Sequence, residues 1–142
     1  MKCSIFWILS IAFFAGCATN AYKEPSESEP HAVFNTNAKL VPVEINGLPR
    51  SGMKMSNWSY RLVPGKVQMF VYVQVTPTLR AEGGIEFLAK KGATYEPHIE
   101  NKLETVRLSI IEKASGHVVA ENELRKGTSA GGGMIPIVIP VK

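Results

Sequence analysis

The chain has 142 residues, with 16 Lys and Arg against 12 acidic residues, three His and two Cys. All 12 acidic residues are Glu, and the absence of Asp excludes Ser-His-Asp triads, aspartyl dyads and Asp-rich calcium loops. The formal charge of +4 is spread along the chain rather than gathered on one stretch, so it does not argue for nucleic acid.

The first 16 residues read as an export signal. A charged start, Met1 and Lys2, precedes an apolar run over residues 5–14 that is too short for a permanent spanning helix and has the length of a signal h-region. It closes on Phe14-Ala15-Gly16-Cys17, where small residues fit a peptidase pocket and the thiol is placed to take a diacylglycerol. This stretch resembles the bacterial lipoprotein signal, the lipobox, with Phe14 where that signal usually carries Leu or another aliphatic residue. The resemblance implies lipidation at Cys17 and attachment to a membrane. Ala18 rather than Asp follows the cysteine, which by the sorting pattern of enteric lipoproteins implies the outer membrane, with the domain facing the periplasm. An uncleaved membrane anchor and an ordinary signal peptidase site near Ala18 are the alternatives. Removal of residues 1–16 would leave 126 residues at a net charge of +3, since Lys2 departs. Cys3 would leave too and Cys17 would be acylated, so no disulfide is available and the core alone has to hold the fold.

Residues 17–38 read as the lipidated terminus and a flexible tether. Within them Lys23-Glu24-Pro25-Ser26-Glu27-Ser28-Glu29-Pro30 is polar and bounded by prolines, the composition of an extended, mobile spacer. The domain proper is expected over residues 39–126. Leu40, Val41, Val43 and Ile45 mark a strand that ends at Asn46-Gly47, a dipeptide suited to positive φ, and residues 48–57 read as a loop or irregular edge. Over residues 58–75, Pro64-Gly65 separates two strand-like runs and predicts a hairpin with Leu62 opposite Val67, Tyr60 opposite Met69 and Trp58 opposite Val71. Those side chains, continued by Val73 and Val75, share one face and form the predicted core. Gln68, Phe70, Tyr72 and Gln74 point the other way and are the candidate ligand face, an aromatic platform of the kind that stacks on sugar rings or peptides. The alternative is that these rings pack under a loop or against a second sheet.

After a loop at residues 76–82, Gly83-Gly84 precedes a strand over residues 85–88, and Lys90-Lys91-Gly92 supplies the next turn. In the following strand Glu96, His98 and Glu100 alternate against Tyr95, Pro97 and Ile99. Two carboxylates around an imidazole form a weak metal pattern that Pro97 interrupts, so no metal and no cofactor is assigned. Residues 105–112 and 117–124 predict a hairpin through Lys113-Ala114-Ser115-Gly116, with Ala120-Glu121-Asn122-Glu123 polar enough for an edge. Residues 127–142 comprise a glycine-rich linker and a short apolar run, Met134, Ile135, Ile137, Val138, Ile139 and Val141, broken by Pro136 and Pro140. That run is a candidate partner strand for β-augmentation, or the last strand of the domain itself.

Three stretches carry a wider resemblance: Val43-Glu44-Ile45-Asn46-Gly47; Leu62-Val63-Pro64-Gly65-Lys66; and residues 85–95, an apolar strand, then Gly92, a spacer and Tyr95. Together they resemble small bacterial envelope lipoproteins with a PEGA-like or similar Ig-like domain. The resemblance implies an all-β fold, an Ig-like antiparallel β-sandwich of about seven strands, preceded by a signal-peptide helix and a disordered tether. About ligand or reaction it implies little; the expected function, a non-enzymatic protein-interaction or scaffolding module with an envelope protein as partner, rests on the apolar run from Met134 to Val141. The alternative is a module that binds glycan or peptidoglycan through Phe70, Tyr72, Gln68 and Gln74. No nucleophile elbow, HExxH or carboxylate pair stands out, so no catalytic residue is assigned.

Overall fold

The structure, a computed structural model, describes residues 20–50 and 58–128. They are all-β: β1 (Ala32–Asn35), β2 (Leu40–Ile45), β3 (Leu48–Pro49), β4 (Ser59–Leu62), β5 (Gly65–Gln74), β6 (Leu79–Ala89), β7 (Thr94–Asn101), β8 (Thr105–Glu112) and β9 (Val118–Thr128). One curled sheet contains all nine, in the order β3-β2-β5-β6-β9-β8-β7-β1-β4. Every ladder is antiparallel except that of β1 with β7, so the expectation of about seven antiparallel strands is corrected to nine in a mixed sheet.

Local chemistry explains the turns. Asn46 and Gly47 both take positive φ, 53° and 73°, and join β2 to β3 as a tight hairpin. Pro42 sits where the β2–β5 register shifts, a position that tolerates its missing N–H. The hairpin of β8 and β9 forms as expected, with Gly116 at φ 69° in its connection.

The hairpin expected at Pro64-Gly65 does not form. β4 pairs with β1, whereas β5 pairs with β2 and β6. Gly65, at φ 121°, lets the chain turn a corner instead. Because only Val63 and Pro64 separate two strands so remote in sheet order, the sheet has to curl until its far end returns to β5. The facing of the side chains survives this change of partner: Tyr60, Leu62, Val67, Met69, Val71 and Val73 are all buried, with Trp58 and Val75 packed at the rim of the core.

Gly83 and Gly84, expected ahead of a strand, lie inside β6. β6 and β9 pair only over Leu79 to Glu82 and Arg125 to Thr128, and beyond that point the two strands fork. A Cβ on Gly83 would stand 2.6 Å from Leu124 Cδ2, so glycine is what permits the close approach at the fork. Asn122, almost fully buried, spans the opening by donating from Nδ2 to the Gly84 carbonyl at 2.6 Å. Deeper in, the Phe87 and Tyr95 rings meet at 5.0 Å and 58°, linking β6 to β7, and the Tyr95 hydroxyl accepts from the Lys90 N–H at 2.9 Å.

The N-terminal residues are part of the fold, which corrects the expected tether at residues 22–25 and 32–35. Left alone, β3 and β4 would be the raw edges of the sheet. Tyr22, 5% exposed, closes both. Its N–H donates to the Pro49 carbonyl at 2.8 Å, and its backbone bridges Arg50 in parallel fashion. Its hydroxyl donates to the Arg61 carbonyl at 3.1 Å and accepts from the Val63 N–H at 3.3 Å. The Glu24 carboxylate accepts from the Arg61 N–H at 3.2 Å, and Pro25 is buried. From the other side Arg50 donates to the Tyr60 hydroxyl at 3.2 Å and lies 5.2 Å over the Trp58 ring. At the opposite terminus β9 runs through Thr128, so Gly127 belongs to a strand rather than to a linker. The signal helix, Cys17 and the apolar run from Met134 to Val141 lie outside the described residues.

Candidate functional site

Strand alternation on β5 sends Val67, Met69, Val71 and Val73 inward, and Gln68, Phe70, Tyr72 and Gln74 outward. Register then decides what stands beside them. Phe70 lies opposite Glu44 on β2 and Gly84 on β6; Gln68 lies opposite Glu86; Tyr72 lies between Val41 and Glu82; Gln74 faces Arg80. Because Gly84 puts no side chain next to Phe70, a shallow depression of about 250 Å³ opens there, lined by Glu44, Gly47, Gln68, Phe70, Gly84 and Glu86 among others.

Polar contacts order this rim. Lys66 Nζ reaches Glu86 Oε1 at 2.8 Å, and Gln68 Nε2 donates to Glu86 Oε2 at 2.6 Å. These hydrogen bonds, that of Lys66 first and that of Gln68 second, hold the Glu86 carboxyl below the usual carboxylate range. Tyr72 is covered instead: the Arg80 guanidinium sits 5.6 Å over its ring and pairs with Glu82. Gln74 turns to its own loop and donates to the Thr76 carbonyl. Of the four residues expected on the ligand face, the depression therefore contains Phe70 and Gln68, while Tyr72 and Gln74 lie outside it. Glu44, Gly84 and Glu86 complete it from neighbouring strands. The signal for them is the pairing of β2 and β6 with β5, which no local pattern carries.

The weaker metal pattern resolves into ion pairs. Lys113 Nζ binds Glu96 at 2.7 Å, and its hydrogen bond holds that carboxyl below the usual range. Arg107 reaches Glu100 at 3.6 Å and both Glu121 and Glu123 at 3.5 Å. Among the described residues no three His, Cys, Asp or Glu side chains gather in a metal-binding group. His98 lines a cleft of about 480 Å³ at one end of the sheet, with Lys39, Val75 and Asn101. Polar groups at that cleft serve their own turns: Asn37 Oδ1 accepts from the Lys39 and Leu40 N–H groups at 3.0 and 3.1 Å, as the Gln74 amide serves Thr76. The cleft is the open end of the core between β5 and β7.

Chemically, the depression on β2-β5-β6 offers a half-buried ring, an amide and two carboxylates, one of them engaged by a lysine. Such a set can stack on a ring and exchange hydrogen bonds with a ligand. Comparisons of the chain with protein-family models, with curated proteins and with solved structures found no match.

Proposed function

We propose that the chain is a bacterial envelope lipoprotein, anchored through Cys17 to the outer membrane on its periplasmic side, whose β-domain is a non-enzymatic module for binding another envelope protein. The observation that carries this proposal is the outer face of β2-β5-β6. Phe70 is half-buried there without a side chain opposite it on β6, and Leu88 on the same face is 64% exposed. A partner covering these groups removes apolar area from water around an ordered polar rim, the anatomy of a protein interface. In this proposal the two forked halves of the sheet act as the layers of an Ig-like sandwich, a view supported by the Phe87–Tyr95 contact between them. The apolar run from Met134 to Val141 is a second candidate element for the same partner, by strand addition.

Affinity purification from detergent-solubilised membranes tests the reading, using the parent chain, Phe70→Ser with Leu88→Ser, and a chain ending at Thr128. A specific partner lost with the paired substitution supports the face, and one lost with the truncation supports the tail. Recovery of the same partner in all three overturns both. Incorporation of labelled palmitate that disappears with Cys17→Ser checks the anchor independently.

The polar rim around Phe70 favours a second reading, a glycan or peptidoglycan site in which the ring stacks on a sugar and Gln68, Glu44 and Glu86 accept or donate to its hydroxyls. Co-sedimentation with purified peptidoglycan that is abolished by Phe70→Ala supports it, and unchanged sedimentation rejects it.

A further inference from the structure

We infer that the N-terminal segment holds the domain against the lipid surface instead of spacing it away, with the seam sealed by Tyr22 facing the headgroups and the outer face of β8 and β9 turned outward. The inference rests on Cys17 being the anchor. From Cys17 to Tyr22 is five residues, which reach at most about 18 Å even when fully extended. Had the chain stayed free to Pro30, thirteen residues would have allowed about 45 Å. Tyr22 cannot contribute slack, because backbone and hydroxyl hydrogen bonds fix it to Pro49, Arg61 and Val63.

Orientation follows from sheet order. The segment at Tyr22 contacts both the β3 end and the β4 end of the sheet, so β9, the middle strand in sheet order, is the most remote from the seam and β8 lies beside it. Lys23 is exposed next to the anchor point, and Leu48 on β3 is 36% exposed beside the seam. Lys23 and Leu48 suit a phosphate-bearing headgroup layer, and the Glu24 and Glu27 carboxylates beside them are paired with Arg61. The outward face carries Arg107 among Glu100, Glu121 and Glu123, a solvated ion-pair network suited to water.

The test uses the full lipidated chain reconstituted in phospholipid vesicles that carry a quencher on the headgroup. A fluorophore is attached through Leu48→Cys at the seam or Glu121→Cys on the outward face, and a second pair, Lys23→Cys and Glu123→Cys, repeats the measurement at other surface positions. Quenching severalfold greater at the seam positions is the expected result. A flexible Gly-Ser spacer inserted between Thr19 and Asn20 should remove that difference while the protein stays on the vesicles. Equal quenching at both faces on vesicle-bound protein, or a difference that survives the spacer, overturns the inference. Protein that never associates with vesicles, and carries no acyl chain, overturns the anchor itself.

Discussion

Replacing Tyr22 by Phe isolates the contribution of one hydroxyl to closure of the sheet. The hydroxyl donates to Arg61 O at 3.1 Å and accepts from Val63 N at 3.3 Å, and the side chain is only 5% exposed. Without it, two backbone groups, one on β4 and one just past its end, lose their partner. Each costs about 1–3 kcal/mol if left dry, but Val63 is 51% exposed and its amide can recruit water, so the net cost is about 1–2 kcal/mol. For a domain of this size that lowers Tm by about 5–15 °C. Tyr22→Ala also deletes a buried ring, for about 3–5 kcal/mol, a large part of the stability such a domain has. Thermal unfolding followed by circular dichroism in a Cys17→Ser background measures both, with Lys23→Ala, at an exposed neighbour, as the control expected to change little. The pH dependence adds a second signature. Burial, ahead of the opposing hydrogen bond from Val63, raises the Tyr22 phenol above its ordinary value of 10.0. The unfolded chain therefore ionises first, and the stabilisation is complete below pH 10 and lost as pH climbs from there through the raised value. Tyr22→Phe should lose less stability than the parent over that alkaline range. If Tyr22→Phe and Tyr22→Ala both unfold like the parent, the segment is a tether after all and the closure described above is wrong.

Acid should act on the surface ladder of ion pairs. Hydrogen bonds from Lys66 to Glu86, Lys113 to Glu96, Ser115 to Glu112 and Lys102 to Glu123 lower all four carboxyls below 4.5, so their stabilisation holds above that pH and disappears as pH falls below it. Denaturant titrations at falling pH should show the loss, and high salt should flatten it because the pairs lie at the surface, their carboxylates partly exposed. Gly83→Ala places a methyl 2.6 Å from Leu124 Cδ2 in a buried fork and should cost about 1–3 kcal/mol by the same titration. Asn122→Ala strips the Gly84 carbonyl of its 2.6 Å donor and should cost about 1–2 kcal/mol, with amide exchange accelerated around the fork.

What the sequence revealed and what it hid divide along one physical line. Facing is local: alternation along β5 put Val67, Met69, Val71 and Val73 in the core, and the structure buries every one of them. Turn conformation is local too, so Asn46-Gly47 and Gly116 fold as their chemistry dictates. Partnership is not local. Pro64-Gly65 allows a reversal, but whether the reversed strand pairs with its predecessor depends on β1 and β2, which occupy those edges. The candidate site inherits the same limit. Phe70 and Gln68 are legible on β5, whereas Glu44, Gly84 and Glu86 join them only because β2 and β6 dock in one particular register.

The misreading of residues 22–25 has a more specific cause. An exposed sheet edge presents alternating N–H and C=O groups, and a segment can cover it either by adding a strand or by lending polar side chains. This chain does both within three residues: the Tyr22 backbone serves Pro49, while the Tyr22 hydroxyl and the Glu24 carboxylate serve Arg61 and Val63. Arg61 adds charge complementarity, its guanidinium lying 3.7 Å from Glu24 and 3.6 Å from Glu27. Covering an edge with side chains demands polar residues and punctuating prolines, the same composition that a solvated spacer has. One buried aromatic, Tyr22, is all that separates the two in the sequence, and an average over the stretch dilutes it. Polar segments beside an expected anchor are therefore better judged by whether the sheet they precede has an unsatisfied edge than by their mean hydropathy.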